Sequence, residues 1–284
     1  MDWTRARAIL IAAFAVVNAM LAYALWGPKD DLNAGEVTAR SQLVQLRARL
    51  DERGIVLPGG VSLPKTPGPM RLLRVEFRLN PTNPDPAVEP FVGAVNASEL
   101  RSRYDAATRE TVLEPVRREE RSLLDLSDRL LLRQAAEDFL RKHGLFPADV
   151  QLSGIFLRED GAMVEFVPTY GGLPVFSGYL RVYLSPRGVE RVVHHWVEPV
   201  GFKEGAAKAV RPAAEALLRL AGHLETGGQV RTVVDVRLGY YSGPSVTAPA
   251  AGEVSAWETV PVWRITLDNG QVYYVNAFNG ELES

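Results

Sequence analysis

The chain has 284 residues, 46% hydrophobic and 23% charged, room enough for a membrane anchor and two or three small domains. A net charge of -2 leaves no basic footprint, so nucleic acid is not expected among its partners. The absence of cysteine excludes disulfides, Cys-based metal sites, a lipid-modified N-terminal cysteine and thiol catalysis.

The first predicted element is a transmembrane helix over residues 8–26, AILIAAFAVVNAMLAYALW, with no charge and one strongly polar side chain, Asn18. At about 1.5 Å per residue this run reaches roughly 28 Å, close to the ~30 Å hydrocarbon thickness. Arg5 and Arg7 precede it, whereas Lys29, Asp30 and Asp31 follow it. The positive-inside tendency therefore puts residues 1–7 in the cytoplasm and everything after Gly27 outside the cell membrane. Ala22-Tyr23-Ala24 also fits a signal-peptide cleavage pattern, with cutting after Ala24. Against that reading, the apolar run continues through Leu25 and Trp26, and the breakers Gly27 and Pro28 come later. Under either reading the body is extracytoplasmic. Ala15, Asn18, Ala19 and Ala22 share one helix face, where small side chains and an amide suit a partner helix. The alternative is that the amide bonds its own backbone.

Residues 27–126 read as an N-terminal subdomain. Val37, Leu43, Val44, Leu46 and Leu50 give an amphipathic helix over 34–53 that stops at Gly54. A Pro/Gly linker follows at 57–70, and RLLRVEFRL (71–79) is a β run that ends at PTNPDP. Next comes a duplication. Ala135-Ala136-Glu137 inside one helical pattern recurs as Ala213-Ala214-Glu215 inside another, and β runs follow both. This predicts two helix-plus-antiparallel-sheet units, 127–200 and 201–284, and an α+β fold class. Asp128 offers a cap for the first helix, Pro212 suits the start of the second, and Asn269-Gly270 marks a tight hairpin.

A search for chemistry leaves little. His143, His194, His195 and His223 make no metal-ligand spacing, and as strand neighbours His194 and His195 point to opposite faces. Ser177 and Ser242 lack the flanking glycines of a nucleophile elbow and read as turn residues. The carboxylates Glu119, Glu120, Asp125 and Asp128 alternate with Arg117, Arg118, Arg121 and Arg129, as a solvated helix face does. No residue is assigned a catalytic, cofactor-binding or metal role, and the chain is read as not an enzyme. Trp263, Tyr273, Tyr274 and Phe278 are read as core packing or, alternatively, as an ectodomain contact surface.

Several segments together resemble a known family. Met1-Asp2-Trp3 with Arg5 and Arg7 before a helix containing Asn18, the stretch Tyr170-Gly171-Gly172-Leu173-Pro174-Val175-Phe176-Ser177-Gly178, Pro261-Val262-Trp263-Arg264-Ile265, and Tyr273 to Glu281 are similar to YycI-type (WalI) regulators. The Val-Asn-Ala-x-x-Gly-Glu ending also resembles YycH and the wider PepSY-like modules. The resemblance implies a single-pass protein that works with a YycH-type partner. It would modulate the sensor histidine kinase YycG, also called WalK, of a cell-wall two-component system, with no catalytic residues and no cofactor. A PepSY-like exported inhibitory or chaperone-like module is the alternative function, and an envelope enzyme with an unrecognised carboxylate pair is the third.

Overall fold

The computed structural model describes residues 42–77, 99–105, 108–116, 123–224, 229–243 and 256–283, together with Phe14 and Asn18. Phe14 and Asn18 are helical and exposed; the remainder of the expected 8–26 span lies outside the described residues, as does the 34–41 part of the expected amphipathic helix. No helix among the described residues is long and apolar enough to cross a membrane. The chain divides into residues 1–49 and 50–284. Residues 42–51 form helix α1, and the larger unit is a sheet-rich α+β body.

Two sheets make up that body, each containing a helix followed by an antiparallel meander. In sheet I, α2 (Arg129–Lys142) precedes β5 (Val150–Arg158), β6 (Gly161–Tyr170), β8 (Tyr179–Ser185) and β9 (Gly188–His195), which lie side by side as β9-β8-β6-β5. The two-residue β7 (Leu173–Pro174) folds back on β6. In sheet II, α3 (Ala213–His223) precedes β11 (Arg231–Tyr241), β12 (Ala256–Leu267), β13 (Val272–Asn276) and β14 (Leu282–Glu283), again neighbours in chain order.

The strands of the 27–126 region do not stand apart from these sheets. β3 (Leu100–Asp105) and β4 (Glu110–Pro115) extend sheet I through β4·β9. β1 (Ile55–Val56) pairs parallel with β11 in sheet II. β2 (Leu73–Glu76) lies antiparallel to both β12 and β10 (Glu198–Phe202).

Local chemistry explains the elements. The Asp128 carboxylate accepts the Leu130 and Leu131 amides at 2.9 and 3.1 Å and so caps two donors of α2 that have no partner inside the helix. Leu132, Ala136 and Leu140, four residues apart, form its buried stripe against Ala162, Val164, Phe166, Leu180 and Val182. In α3, Pro212 takes the N-cap position with no side-chain bond, and Ala213, Ala216, Leu217, Leu220 and Ala221 are buried. The matched letters Ala136 and Ala214 therefore fill different roles: the buried stripes of the two helices are offset by one residue. At the predicted hairpin Gly270 adopts φ +80°, joining β12 to β13.

Alternation along β6 and β12 decides what faces what. Ala162, Val164 and Phe166 meet α2, which turns Glu165 and Val167 toward sheet II. On β12, Val262 joins Val167 and Phe176 in a buried cluster, and Arg264 reaches Glu165. Trp263 points the other way and donates to the Arg211 carbonyl beside α3, 2.8 Å away. Both faces are covered over residues 162–168 of β6 and 261–267 of β12, so those stretches read as largely apolar runs, whereas Ala256 and Glu258 at the start of β12 are exposed.

Candidate functional site: the seam between the sheets

Several buried charged and hydroxyl side chains of the body converge between sheets I and II. At the centre is Glu165, 5% exposed, on the apolar strand β6. Its Oε1 accepts from Ser153 Oγ at 2.9 Å and from Arg264 Nη2 at 3.0 Å, and its Oε2 accepts from Arg181 Nε at 2.8 Å. Arg264, 2% exposed, also donates through Nη1 to Ser153 Oγ, while its buried Nε finds no acceptor among the described residues. Burial alone would raise the Glu165 carboxyl, but Arg264 and Arg181 outweigh burial and hold it below the usual carboxylate range. It is a fixed charge at neutral pH, not a proton carrier. Beside it, Arg237 of β11 donates to the Leu152 and Ser153 carbonyls at 3.3 and 3.0 Å.

Aromatic and hydroxyl groups extend the seam. Arg181 stands 3.7 Å over the Tyr179 ring, and Tyr179 donates to Glu110; burial and that bond push its hydroxyl well above its ordinary value. His195 stacks on Tyr179, meets Phe77 edge-on with centroids 5.0 Å apart, and shares a hydrogen bond between Nδ1 and the Arg109 carbonyl. Its pKa is lowered, chiefly by burial. His194, one residue back, faces the opposite side of β9 and stacks on Trp196.

The serines read as turn residues meet each other. Ser177 and Ser242, 65 positions apart, have their hydroxyls at 3.0 Å; Ser177 Oγ accepts the Ser242 amide at 2.9 Å, and Ser242 Oγ accepts Trp257 Nε1 at 2.8 Å. These bonds engage the hydroxyls in holding two chain segments together. The Phe176 amide donates to the Tyr240 carbonyl at 2.8 Å, so residues 173–178 strap sheet I to β11.

Gly239 makes the strap possible. A Cβ there would lie 2.5 Å from the Phe176 ring and 2.6 Å from the Pro174 carbonyl oxygen. Gly239→Ala is expected to destabilise the body by about 1–3 kcal/mol through overpacking. Gly68→Ala, with nothing within 4 Å, should stay within about 0.5 kcal/mol of the parent, and urea titration of both variants checks the difference.

The residues expected at a contact surface separate in the structure. Trp263 is 0% exposed and belongs to the core beneath α3. Tyr274 lies in the seam, stacked on Tyr241 at 3.8 Å, and burial raises its pKa. Tyr273 and Phe278 keep part of their surface in solvent; the Tyr273 hydroxyl donates to Gln271, and Lys208 stands 5.8 Å over the Phe278 ring. In the amino-terminal segment the Asn18 amide donates to the Phe14 carbonyl at 3.0 Å, one turn back. Ala15, Ala19 and Ala22 lie outside the described residues. Glu165, Arg181 and Arg264 were given no role in the sequence reading, although a single carboxylate inside AMVEFV and a single arginine inside VWRIT mark Glu165 and Arg264.

Away from the seam, at one end of sheet I, an open cleft of about 710 Å³ is lined by Glu114, Arg158, Glu159, Asp160, Glu190 and Arg191 around Tyr183. Arg191 and Arg158 stand 4.1 and 5.3 Å over that ring. Its charged walls lack the apolar lining of a small-molecule pocket.

The interior charges and hydroxyls of this two-sheet α+β body are engaged in joining its halves. The chain belongs to the YycI family: the family described as YycI protein matches residues 132–278, from within α2 to just beyond β13 and just over half of the chain. That family comprises regulators of a two-component system and is not known for catalysis. No curated protein matches the chain. Among solved structures, an uncharacterized protein from Eubacterium rectale ATCC 33656 is similar at 12% identity and TM-score 0.48, over 85% of this chain and 98% of that one. The YpeB C-terminal domain of Bacillus megaterium is similar at 13% identity and TM-score 0.38, over 65% of this chain and 80% of that one.

Proposed function

We propose that the chain is a single-pass membrane regulator that modulates a sensor histidine kinase of the YycG/WalK type by protein–protein contact, alongside a YycH-type regulator. Family membership carries this reading. The apolar run 8–26, with arginines before it and a net negative charge after it, supports an anchor whose body lies outside the cell. In this reading the anchor brings the body to the kinase within the plane of the membrane, and the body supplies the contact surface, with Tyr273 and Phe278 as its aromatic members.

Exchanging residues 8–26 for an unrelated span tests it directly. Loss of kinase modulation and of co-purification with the kinase is the expected result. Activity that survives the exchange would favour the PepSY-like alternative, in which the body alone acts.

Asn18 gives a finer measurement. Its Nδ2 donor is engaged by Phe14, which leaves Oδ1 for a donor on a neighbouring helix. Asn18→Leu is therefore expected to weaken association in membranes by about 0.6 kcal/mol, roughly threefold. Leucine at Ala15, Ala19 and Ala22 should add to the loss by pushing the backbones apart. Equal binding by the wild type, Asn18→Leu and the triple-leucine chain would move the whole interaction to the body.

A further inference from the structure

The contacts across the seam change character along its length. Near Tyr170, at the end of β6, the strap 173–178 ties the sheets by backbone: Val175 bridges Tyr240, and the Phe176 amide donates to the Tyr240 carbonyl. The Ser177–Ser242–Trp257 hydroxyl cluster belongs to the same end. Next along β6 and β12 comes a small apolar cluster, Val167, Phe176 and Val262. Two residues further on each strand the contact is ionic: Glu165 against Arg264, with Ser153, Arg181 and the Arg237 bonds to β5. The order on β12 (Pro261, Val262, Arg264) parallels that on β6 (Pro168, Val167, Glu165), so both sheets run from backbone tie through apolar patch to ion network.

An ion network and an apolar patch resist separation differently. Apolar surface has no favourable alternative in water, whereas each charge of Glu165, Arg181 and Arg264 regains hydration when the sheets part. The buried Nε of Arg264, which finds no acceptor among the described residues, gains one from water. On its other side sheet I is sealed to α2 by a continuous apolar core that includes Leu132, Leu140, Val164, Phe166 and Val182.

We propose that the seam is a jaw: the two sheets hinge at the 173–178 strap and open at the Glu165–Arg264 latch while each sheet stays folded. Opening uncovers Ser153, Glu165 and Arg264, buried side chains that the closed body does not present. The two arrangements give a regulator of the family described above two shapes for its partner to select between.

The cysteine-free chain allows a direct test. Ser153→Cys places a thiol at the latch, Ser242→Cys at the hinge and Ala136→Cys in the core under α2; all three positions are buried. Each is introduced singly into the full-length protein in detergent, and its labelling by a thiol reagent is followed. The latch cysteine is expected to label at least about tenfold faster than the other two, which report opening of the whole fold. Adding Glu165→Gln should speed labelling at 153 by on the order of a hundredfold, because Arg264 is left buried beside a neutral group, with little change at 136. Replacing both partners, Glu165→Leu with Arg264→Leu, should slow it again. Equal labelling at 153, 242 and 136 in the parent background would overturn the jaw, and so would an equal acceleration at all three by Glu165→Gln. The parent-background rates decide even where Glu165→Gln does not fold.

Discussion

Trp263→Ala is expected to cost the body about 3–5 kcal/mol. The ring is fully buried on the α3 side of β12, and its Nε1 satisfies the Arg211 carbonyl where the chain enters α3. Truncation removes the packing, leaves a cavity and withdraws that donor. Trp263→Phe keeps most of the volume and should cost roughly 1–2 kcal/mol, mainly the hydrogen bond and the residual gap. Tyr273→Ala and Phe278→Ala, at partly exposed positions, should each cost under about 1 kcal/mol. Urea denaturation of the four variants separates core from surface. A Trp263→Ala loss no larger than that of Tyr273→Ala would contradict the packing described for β12.

Acidification is expected to destabilise the body from about pH 6.5 downward, ahead of any carboxylate effect. Burial, with a smaller contribution from neighbouring His195, lowers the His194 pKa to about 3, whereas in an unfolded chain it stays near 6.5. Between these values the unfolded chain binds a proton that the folded body refuses, so stability falls as pH falls, by about 1.4 kcal/mol per pH unit at full effect. The full loss near pH 3 is on the order of 4 kcal/mol. His195, also lowered, acts in the same direction. Glu165 adds a second phase: its lowered pKa gives stability present above the unfolded value near 4.3 and lost as pH falls through the folded one. Urea midpoints at pH 7, 6 and 5 isolate the histidine part. His194→Gln should flatten that curve by about one proton, and parallel curves for parent and variant would show that His194 does not titrate as its burial requires.

Features set by neighbours in sequence were legible. The Asp128 cap of α2, the proline at the start of α3 and the Asn269-Gly270 hairpin were visible in the order of residues, because each depends on side chains within about four positions. What was not legible joins distant residues. Nothing near Ser177 indicates that its hydroxyl meets Ser242, and Glu165 lies 99 positions from Arg264. Each alone resembles a turn residue or an ordinary strand charge. Trp263 illustrates the limit from the other side: PVWRI favours a core aromatic without saying which core, and its direction follows from which face of β12 the helix covers. The Ala-Ala-Glu match likewise aligned letters without aligning buried faces, since a one-residue offset turns a helix position by about 100°.

The placement of β2 sets the order in which the body can be completed during synthesis. All strands of sheet I lie between Leu100 and His195, so that half has its components once His195 has left the ribosome. Sheet II does not: β2, at residues 73–76, has its partners at 198–202 and 256–259, and the Leu73 carbonyl accepts from Thr259 Oγ1, 186 residues later. Until those segments arrive β2 waits with both edges open, a hazard for wrong pairing that its exposed Arg74 and partly buried Glu76 reduce by interrupting Leu73 and Val75 with charge. A chain stopped before Ala256 would hold sheet I intact and leave β2 without its last partner, so β12 closes the structure that β2 began.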